Sequence, residues 1–451
     1  MTVMPSKSWS RRIYETVIIH YRMTIKQQFK RSIKCGTGEA YFILKKNPTR
    51  NFSKIILDAA KNNYAYDGQS EGNRAEYIVR LIDLCNQKEE IESELIKELN
   101  LAIDNTWDVD QLFGINAIFA KRGNDKAKKA IYKRYRKNKF ESDWLGQEEI
   151  VHLDGLDGLK IIVETRGKSL EKNKDDWEDS FFIDWFQEEN PKLEVYKELK
   201  KTARRNKFIK KYLQTILKSK KKSKTRTKRV RITYKQVAQN IDQIKTVPIS
   251  PRGIRELTQL EIEKLANDFL AESNPLKQEK YLRIFSRRKY PLEYNPILAI
   301  AKGKNKKNTR LVEFACESLK YFQGKDIRKF ALEKLKATNR PSDYLYLLVS
   351  NYKKGDAKLL YTIVAKYRNQ DVIHSLVYGL IEIYKNNDVT ECRKRLELIY
   401  NKMTCGIHRH ELLEILYKNK ALSKKILKEI EFDSFEITNK LYHDIKTDDN
   451  T

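Results

Sequence analysis

The sequence is poor in the residues and patterns that mark several classes of protein. Its 451 residues include only 16 Gly and 9 Pro, which excludes collagen-like and low-complexity chains. Its best apolar runs, such as 112–120 and 344–349, fall short of the roughly 18 residues that a membrane helix needs. No Gly-rich segment ends in Gly-Lys-Ser or Gly-Lys-Thr, which excludes a phosphate-binding loop. We therefore expect a folded protein with no membrane-spanning segment.

Cysteine and histidine are also scarce. The five cysteines are scattered, odd in number and set mostly in apolar helical patterns, which is typical of reduced core residues in a cytoplasmic protein. The apolar run at 17–19 is too short for a signal peptide, which also favours a cytoplasmic location. Six histidines leave little acid-base chemistry at neutral pH, and no ordered Ser-His-Asp or Cys-His arrangement is visible. We assign no catalytic residue and no cofactor.

The length and the periodicity predict a large helical protein. A chain of 451 residues is roughly two to three times the length of a typical domain, which favours several domains or an extended repeat array. Apolar residues make up 40% of the chain, enough for a sizeable core. They recur at intervals of three and four residues, and strand-like alternation is almost absent. Nearly the whole chain is therefore predicted as helices of roughly 12 to 18 residues with short breaks.

Four predicted turns between helices share one pattern. In each, an aromatic residue near a helix end is followed by a polar turn and then by Asp125, Asp326, Asp356 or Asp388. Gly or Asn in the turn can take the left-handed conformation that ends a helix, and the Asp is expected to cap the next helix. The last three of these Asp residues lie 30 and 32 residues apart. This interval predicts two-helix units that bury their apolar faces by stacking on one another.

With these turns and this interval, residues 256–440 and 25–195 resemble HEAT-type helical repeats. The resemblance implies an all-α fold, an α-solenoid of stacked HEAT-like helical hairpins in two segments. Tetratricopeptide repeats have a similar period, but their small and aromatic residues at fixed places do not recur here. We predict an N-terminal helical-repeat segment (1–198) with an acidic, Trp-rich end, a basic connector (199–250) and a C-terminal HEAT-like repeat segment (251–451).

The net charge of +30 is concentrated in one segment. Between Lys200 and Arg231, 16 of 32 residues are Lys or Arg and none is acidic, so the other 419 residues carry only +14. Residues 141–198, just upstream, carry a net charge of −10 and three of the five tryptophans. The segment 200–231 is called the basic block below, and its predicted nucleic-acid-binding residues are Lys200, Lys201, Arg204, Arg205, Lys207, Lys210, Lys211, Lys218, Lys220, Lys221, Lys222, Lys224, Arg226, Lys228, Arg229 and Arg231.

The basic block predicts binding to a polyanion. Phosphate backbones attract dense Lys and Arg because each contact releases condensed counterions. The first hypothesis is therefore a non-catalytic α-solenoid that binds DNA or RNA, with 207–217 as a basic amphipathic helix and 219–231 as an exposed tail or loop. The second is a protein-protein interaction scaffold for an acidic partner, in which the block is only a connector or is neutralised by residues 141–198. Binding to acidic lipid is a further possibility.

A group of indoles and carboxylates raises an enzymatic alternative. It comprises Asn105, Trp107, Asp108, Asp110, Trp144, Asp184 and Trp185. Indole faces attract cations through their quadrupole. The group is similar to the sites of HEAT-like alkylpurine DNA glycosylases. That resemblance implies aromatic faces that hold a cationic damaged base and an Asp that stabilises the developing sugar cation.

One short segment carries residues that can bind zinc. Cys405, His408 and His410 lie within six residues of one another, and thiolates and imidazoles are common zinc ligands. His408 and His410 are expected on different sides of a helix, and a fourth ligand is missing nearby. We therefore assign no metal.

Overall fold

A computed structural model shows a protein built of α-helices. Helices make up 73% of the structure. The structure describes residues 23–101, 103–137, 144–173, 177–223, 231–243, 250–303 and 309–448. No strand occurs in these ranges, so the prediction of an all-α protein is confirmed. No helix within them combines the length and the apolar character needed to cross a bilayer.

The chain divides into two compact units. The described residues of the N-terminal unit lie between Ile25 and Ser223 and in Glu431–Asn439. Those of the C-terminal unit are Met23, Thr24, residues between Arg231 and Ile430, and Lys440–Asp448. Among the described residues the change of unit falls between Ser223 and Arg231, inside the predicted connector, and the division at residues 198 and 250 stays a prediction.

The N-terminal unit contains twelve described helices before residue 224. They are α1 (Ile25–Cys35), α2 (Glu39–Lys46), α3 (Ser53–Lys61), α4 (Gly68–Glu71), α5 (Ala75–Ile82), α6 (Lys88–Glu98), α7 (Thr106–Lys121), α8 (Asp125–Tyr135), α9 (Gln147–Lys172), α10 (Phe181–Glu189), α11 (Val195–Ala203) and α12 (Lys207–Ser223). Helix α9 is kinked at Gly155, whose φ of 54° lies in the left-handed region that favours glycine. The buried side chains form one continuous hydrophobic cluster that runs from Phe29 to Ile216.

The remaining fourteen described helices follow residue 230. They are α13 (Tyr234–Asp242), α14 (Pro251–Glu256), α15 (Gln259–Ala271), α16 (Pro275–Phe285), α17 (Asn295–Lys302), α18 (Thr309–Ser318), α19 (Lys325–Ala337), α20 (Ser342–Leu345), α21 (Asp356–Lys366), α22 (Gln370–Asn386), α23 (Arg393–Tyr400), α24 (Gly406–Lys418), α25 (Lys424–Ile430) and α26 (Glu436–Asp448). Short 3₁₀ turns at Leu319–Tyr321, Tyr346–Leu348 and Thr390–Cys392 connect some of them.

Short polar residues define where many of these helices begin. The side chains of Asn105 and Asn274 accept backbone N–H bonds at the starts of α7 and α16. Thr258 and Glu261 form a capping box at the start of α15, in which each side chain bonds the other residue's backbone N–H. Such caps satisfy amide groups that have no partner inside the helix. The helix starts are therefore encoded locally.

The repeated Asp residues act as the predicted caps only in part. Asn124 caps α8 in place of Asp125, and Gly324 and Gly355 precede α19 and α21 without a side-chain cap. Asp326 accepts the first-turn backbone N–H of Ile327 at 2.9 Å and also a hydrogen bond of 3.0 Å from the Tyr294 hydroxyl. Asp356 accepts two from the Arg328 guanidinium, at 2.6 and 2.8 Å. These two carboxylates lie at helix starts, as expected from the turn pattern, but they connect residues 28 and 32 positions apart.

The cysteines are core residues, as predicted. Cys35, Cys316, Cys392 and Cys405 are buried, and Cys85 is half-buried. None of the five forms a disulfide. Burial raises the pKa of the Cys85 thiol to about 11, which keeps it protonated at neutral pH.

Candidate functional site

The basic block contains a helix that is anchored in the core of the N-terminal unit. One side of α12 buries Ile209, Tyr212, Leu213 and Ile216. Burial of each such side chain contributes at most about 1.5–3 kcal/mol, whereas a like-charge pair one turn apart on a helix costs only about 0.2–0.5 kcal/mol. The apolar side of α12 therefore outweighs the mutual repulsion of its lysines.

Two local features fix the position of α12. Asn206 caps its N-terminus, because the Asn206 side chain accepts the backbone N–H groups of Phe208 and Ile209 at 3.0 and 3.2 Å. Gly167 of α9 lets the two helices approach closely. A Cβ atom at position 167 would lie only 2.1 Å from the carbonyl oxygen of Phe208. The orientation of the basic helix thus depends on a residue 40 positions upstream.

The other side of α12 carries a stripe of lysines. Lys207, Lys210, Lys211 and Lys218 are exposed. Their spacing of three, four and seven residues places them on one side of the helix. At 1.5 Å per residue, the stripe from Lys207 to Lys218 is about 16 Å long. Each strand of duplex DNA carries one phosphate about every 3.4 Å along the axis, so the stripe matches about five phosphates.

Helix α11 and the turn after it extend this basic surface. Lys200, Lys201, Arg204 and Arg205 are exposed. The first three of these line a cavity of about 590 Å³ together with Gln187, Glu194, Tyr196 and Lys197. Lys200 and Arg204 are four residues apart, and neither forms an ion pair within the described ranges. This cavity brings cationic side chains and hydrogen-bond donors to one concave surface.

Among the described cations of the basic block, two pair with the acidic segment upstream. Lys201 pairs with Glu198 at 2.6 Å, and Lys207 pairs with Glu171 at 3.3 Å. Other acidic residues of 141–198 pair with cations outside the block: Asp154 with Lys128, Glu164 with Lys168 and Glu178 with Arg166. In the part of the chain that the structure describes, six cations of the block form no ion pair: Lys200, Arg204, Arg205, Lys210, Lys211 and Lys218.

The structure corrects and limits the prediction for the rest of the block. Helix α12 continues to Ser223, so the exposed loop predicted from Ser219 does not begin there. Arg231 belongs to the C-terminal unit, where it pairs with Glu261. The side chains of Lys220, Lys221 and Lys222 lie outside the described part of the chain, as do the whole residues Lys224, Arg226, Lys228 and Arg229.

Only two of the predicted indoles come together. The rings of Trp107 and Trp144 lie 5.7 Å apart between centroids, with an angle of 52° between their planes. A flat base held between two parallel rings needs roughly 7 Å, so these indoles contact each other rather than forming a slot. Trp185 instead packs against Phe182 and His152, at 5.4 and 5.7 Å. The outer face of Trp144, which is 39% exposed, remains open to solvent.

Three carboxyl groups of α7 and α9 have raised pKa values: Asp108, Asp110 and Glu149. Asp110, one turn after Trp107 in α7, accepts a hydrogen bond of 2.9 Å from the Asn73 amide. Burial raises the pKa of Asp110 above its ordinary value. Glu149 lies in the first turn of α9, and burial together with the nearby Asp110 charge raises its pKa to about 8. Glu149 is therefore mostly protonated at neutral pH. It is not among the residues that the sequence singled out.

The other predicted carboxylates have structural partners. Asp108 accepts the backbone N–H of Asn63 at 2.6 Å. Asp184 accepts a hydrogen bond of 2.6 Å from the Ser180 hydroxyl. The structure therefore brings Trp107 and Trp144 together, with Asp110 one helical turn after Trp107, and leaves Asp184 bonded to Ser180.

A group of potential metal ligands lies in the C-terminal unit. Cys405 and His408, at the start of α24, are 3% and 7% exposed. The sulfur of Cys405 lies 3.1 Å from Nδ1 of His408. His374 of α22 completes the group, because its ring centroid lies 4.4 Å from that of His408. His410 points elsewhere and lies 3.6 Å from Glu414, as expected from its predicted position on another side of the helix.

His374 could not be selected from the sequence. It precedes Cys405 by 31 residues, and no spacing rule links the two positions. Packing of α22 against α24 brings them together. Comparison of the chain with protein-family models, with curated proteins and with solved structures finds no match.

Proposed function

We propose that this protein binds nucleic acid through the exposed face of α11 and α12. The observation that supports the proposal is the set of six exposed cations with no acidic partner in the described ranges: Lys200, Arg204, Arg205, Lys210, Lys211 and Lys218. Lys200, Lys210, Lys211 and Lys218 stand on helices whose other faces are buried, and Arg204 and Arg205 lie in the turn between those helices. A polyanion would therefore meet cations held on a rigid support rather than on a free chain.

The expected binding mode is electrostatic and largely independent of sequence. Lysines and arginines on a helix surface contact phosphates, which fix the position of the strand without reading bases. The affinity of such a protein falls steeply with salt, because each phosphate contact releases counterions. An acidic protein partner or acidic lipid would meet the same cations, and the test below distinguishes them from nucleic acid.

We also propose that both units are α-solenoids of HEAT-like hairpins. In the C-terminal unit, hydrogen bonds join residues about one predicted repeat apart. Ser350 bonds the carbonyl of Lys320, and Gln370 bonds the carbonyl of Lys402, at separations of 30 and 32 residues. Contacts at this interval are expected when successive hairpins stack on one another. A solenoid would present α11 and α12 as part of a continuous surface.

The test is a titration of the purified chain against random-sequence duplex and single-stranded DNA and RNA. Fluorescence anisotropy at about 50 to 200 mM salt gives the slope of log K against log salt concentration. Six phosphate contacts predict a slope of about −5 for duplex DNA. The combined variant Lys200→Gln, Arg204→Gln, Lys210→Gln, Lys211→Gln should flatten this slope by about 3 to 4.

A matched variant controls for net charge. Lys329, Lys336, Lys358 and Lys394 are exposed in the C-terminal unit, and changing all four to Gln removes the same charge there. This control should keep the wild-type slope. The proposal fails if the wild type binds no nucleic acid at low salt, if binding is indifferent to salt, or if both variants lose affinity equally. Binding only to anionic vesicles or to an acidic peptide would favour lipid or protein instead.

A base-excision activity is the second candidate function. It is supported by the raised pKa values of Asp110, one helical turn after Trp107, and of Glu149 near Asp110, since perturbed carboxyl groups cluster at catalytic sites. Because the indoles contact each other, a flipped base would stack on the exposed face of Trp144. Release of methylated purines from alkylated DNA, lost in Asp110→Asn and kept in Trp177→Phe, tests it. A wild-type chain that releases no base contradicts it.

A further inference from the structure

Three metal-binding side chains of the C-terminal unit meet at one point. His374 lies in α22, and Cys405 and His408 lie at the start of α24. Their possible ligand atoms all lie within 4.8 Å of one another. We infer that Cys405, His374 and His408 form a binding site for a single Zn²⁺ ion, with one thiolate and two imidazoles as its protein ligands.

The distances fit a tetrahedral ion after small adjustments. Zinc bonds of about 2.3 Å to sulfur and about 2.0–2.1 Å to nitrogen place two such ligand atoms roughly 3.5 Å apart. The observed separation of 3.1 Å between Sγ of Cys405 and Nδ1 of His408 is close to this value. The His374 and His408 rings are perpendicular, at an angle of 85°, so they approach the central point from different directions.

The backbone holds the ligands in place. Cys405 immediately precedes α24, and His408 follows three residues later in its first turn, so both side chains lie on one face of the helix start. Both are buried, which limits their rotamers. His374 comes from a second helix that packs against the first. Thiolate and imidazole ligands favour Zn²⁺ and similar transition metals over Mg²⁺ or Ca²⁺, which prefer oxygen.

A cavity lined by several carboxyl groups and by the Arg340 guanidinium, which pairs with Asp343, borders the cluster through Tyr378. Carboxyl groups of α18, α20 and α22 line this cavity of about 540 Å³, and they are Glu313, Glu317, Asp343 and Asp371. Tyr378 also lines it, and its ring lies 4.7 Å from that of His408. His374 lies between Asp371 and Tyr378 on one stripe of α22, at offsets of three and four residues. Clustered carboxylates raise the local concentration of divalent cations in this otherwise basic chain.

Three protein ligands leave one tetrahedral position for water or another small ligand. Zinc sites with four protein ligands are structural, whereas sites with three protein ligands keep an exchangeable position. The proposed site is therefore an open one, and it is independent of the nucleic-acid-binding surface of the N-terminal unit.

The experiment measures metal binding by the full chain. The chain is stripped with a chelator and titrated with Zn²⁺, and the metal content is then determined by mass spectrometry. A parallel titration with Co²⁺ follows the thiolate-to-metal charge-transfer band, which reports ligation by sulfur. We expect one equivalent of metal per chain and an intense charge-transfer band. Binding should weaken at acid pH, because protons compete for the thiolate and the imidazoles.

Matched substitutions decide which residues are ligands. Loss of a residue that only supports a ligand typically lowers metal affinity about 10–100-fold, so His374→Gln and His408→Gln should lower it at least that much. Cys405→Ser should also abolish the charge-transfer band. His410→Gln and Cys392→Ser change the same residue types outside the cluster and should bind as the wild type does.

Two results would overturn the inference. One is a wild-type chain that binds Zn²⁺ no more tightly than Cys405→Ser. The other is a His410→Gln variant that loses as much affinity as His374→Gln. Circular dichroism checks that each variant is folded. If a buried substitution unfolds the chain, His374→Gln decides the question, because His374 is only half-buried.

Discussion

The two units use their positive charges in different ways. On α11 and α12 of the N-terminal unit, lysines and arginines face solvent, and most of those described have no acidic partner. In the C-terminal unit, several cations bind backbone carbonyl groups. Arg409 is completely buried and donates to the carbonyl oxygens of Met403 and Thr404, at 3.3 and 3.0 Å. The same residue types thus form an exposed surface on α11 and α12, whereas some of those in the C-terminal unit stabilise its fold.

Lys402 shows how a cation can stabilise a helix end. Its ammonium group donates to the carbonyls of Val364, Ala365 and Tyr367, at 2.9, 3.1 and 3.0 Å. These carbonyls lie at the C-terminal end of α21, where unpaired carbonyls carry partial negative charge. Burial, with a smaller effect of Arg368, lowers the pKa of Lys402 to about 8. The three carbonyls oppose that shift, because they stabilise the charged form.

This difference explains why net charge alone is a poor guide to function. The +14 that lies outside the basic block includes buried cations that no partner can reach. A cation indicates a binding surface only where it is exposed and lacks an acidic or carbonyl partner. Substitutions that remove one cation at a time therefore separate the two roles.

Arg409→Met should give the largest loss of stability. Methionine keeps much of the side-chain volume but leaves the Met403 and Thr404 carbonyls without their buried donor. Loss of hydrogen bonds to a buried charged group should lower the free energy of unfolding by about 3 kcal/mol. Chemical denaturation measures this change. Lys358→Met, at an exposed position of the same unit, should change it by less than about 0.5 kcal/mol.

The nucleic-acid affinity of folded Arg409→Met should equal that of the wild type. If this variant keeps its stability and loses binding, Arg409 does not act through the fold. If the four-residue variant of α11 and α12 is destabilised as strongly as Arg409→Met, those cations do not act only in binding.

Gly167→Ala tests whether the basic surface depends on its anchor. The added methyl group would lie 2.1 Å from the Phe208 carbonyl oxygen, which is backbone and cannot rotate away. Overpacking of this kind typically costs about 1–3 kcal/mol, so we expect a loss of about 2 kcal/mol and a shift of α12. Thr165→Ala, at an exposed position of the same helix, should be nearly neutral.

The functional consequence of Gly167→Ala is a smaller one. A shifted α12 would still carry its lysines, but their alignment with those of α11 would change. We expect nucleic-acid affinity to fall several-fold at constant salt slope, as measured by anisotropy. Wild-type stability in this variant would show that α9 and α12 do not approach as closely as the structure has them.

The sequence predicts the helices better than it predicts their contacts. Periodicity correctly indicates an all-α protein and the amphipathic start of α12, because both depend on residues within a few turns. The turn before Asp356 is also recognised, since Gly355 adopts the left-handed conformation with φ of 98°. The sequence does not reveal the role of Asp356, because its partner Arg328 lies 28 residues away and is positioned only by packing.

The candidate sites also depend on tertiary contacts that the sequence does not reveal. The basic block is visible as composition, but its neutralisation by residues 141–198 could be judged only from ion pairs in the folded chain. Cys405 and His408 are close in sequence, whereas His374 joins them through the packing of α22 on α24. Glu149 has a raised pKa because folding buries it near Asp110. His374 and Glu149 were not identified from the sequence because tertiary contacts place them in these sites.

Arg231 tests whether a cation of the basic block can stabilise the fold instead of binding phosphate. It ends the basic block in sequence, yet it behaves like the cations of the C-terminal unit. It pairs with Glu261 and donates to the carbonyl oxygen of Glu256 at 3.0 Å. Arg231→Gln should therefore leave the salt slope of nucleic-acid binding unchanged. A slope flattened by about 1 would place Arg231 among the phosphate contacts instead.

Glu261→Gln should have a small effect on stability that depends on pH. Hydrogen bonds from the backbone of Thr258 and Tyr234, with Arg231 nearby, lower the pKa of Glu261 to about 2. Because the folded pKa lies below the unfolded value of 4.5, the carboxylate stabilises the fold above about pH 4.5 and loses this effect as pH falls toward 2. At neutral pH the free energy of unfolding of the wild type should exceed that of Glu261→Gln by about 1 kcal/mol, as for loss of a capping partner. This difference in stability should vanish near pH 2. Denaturation curves across this range measure it, and a difference that is constant with pH would show that Glu261 does not act through its charge.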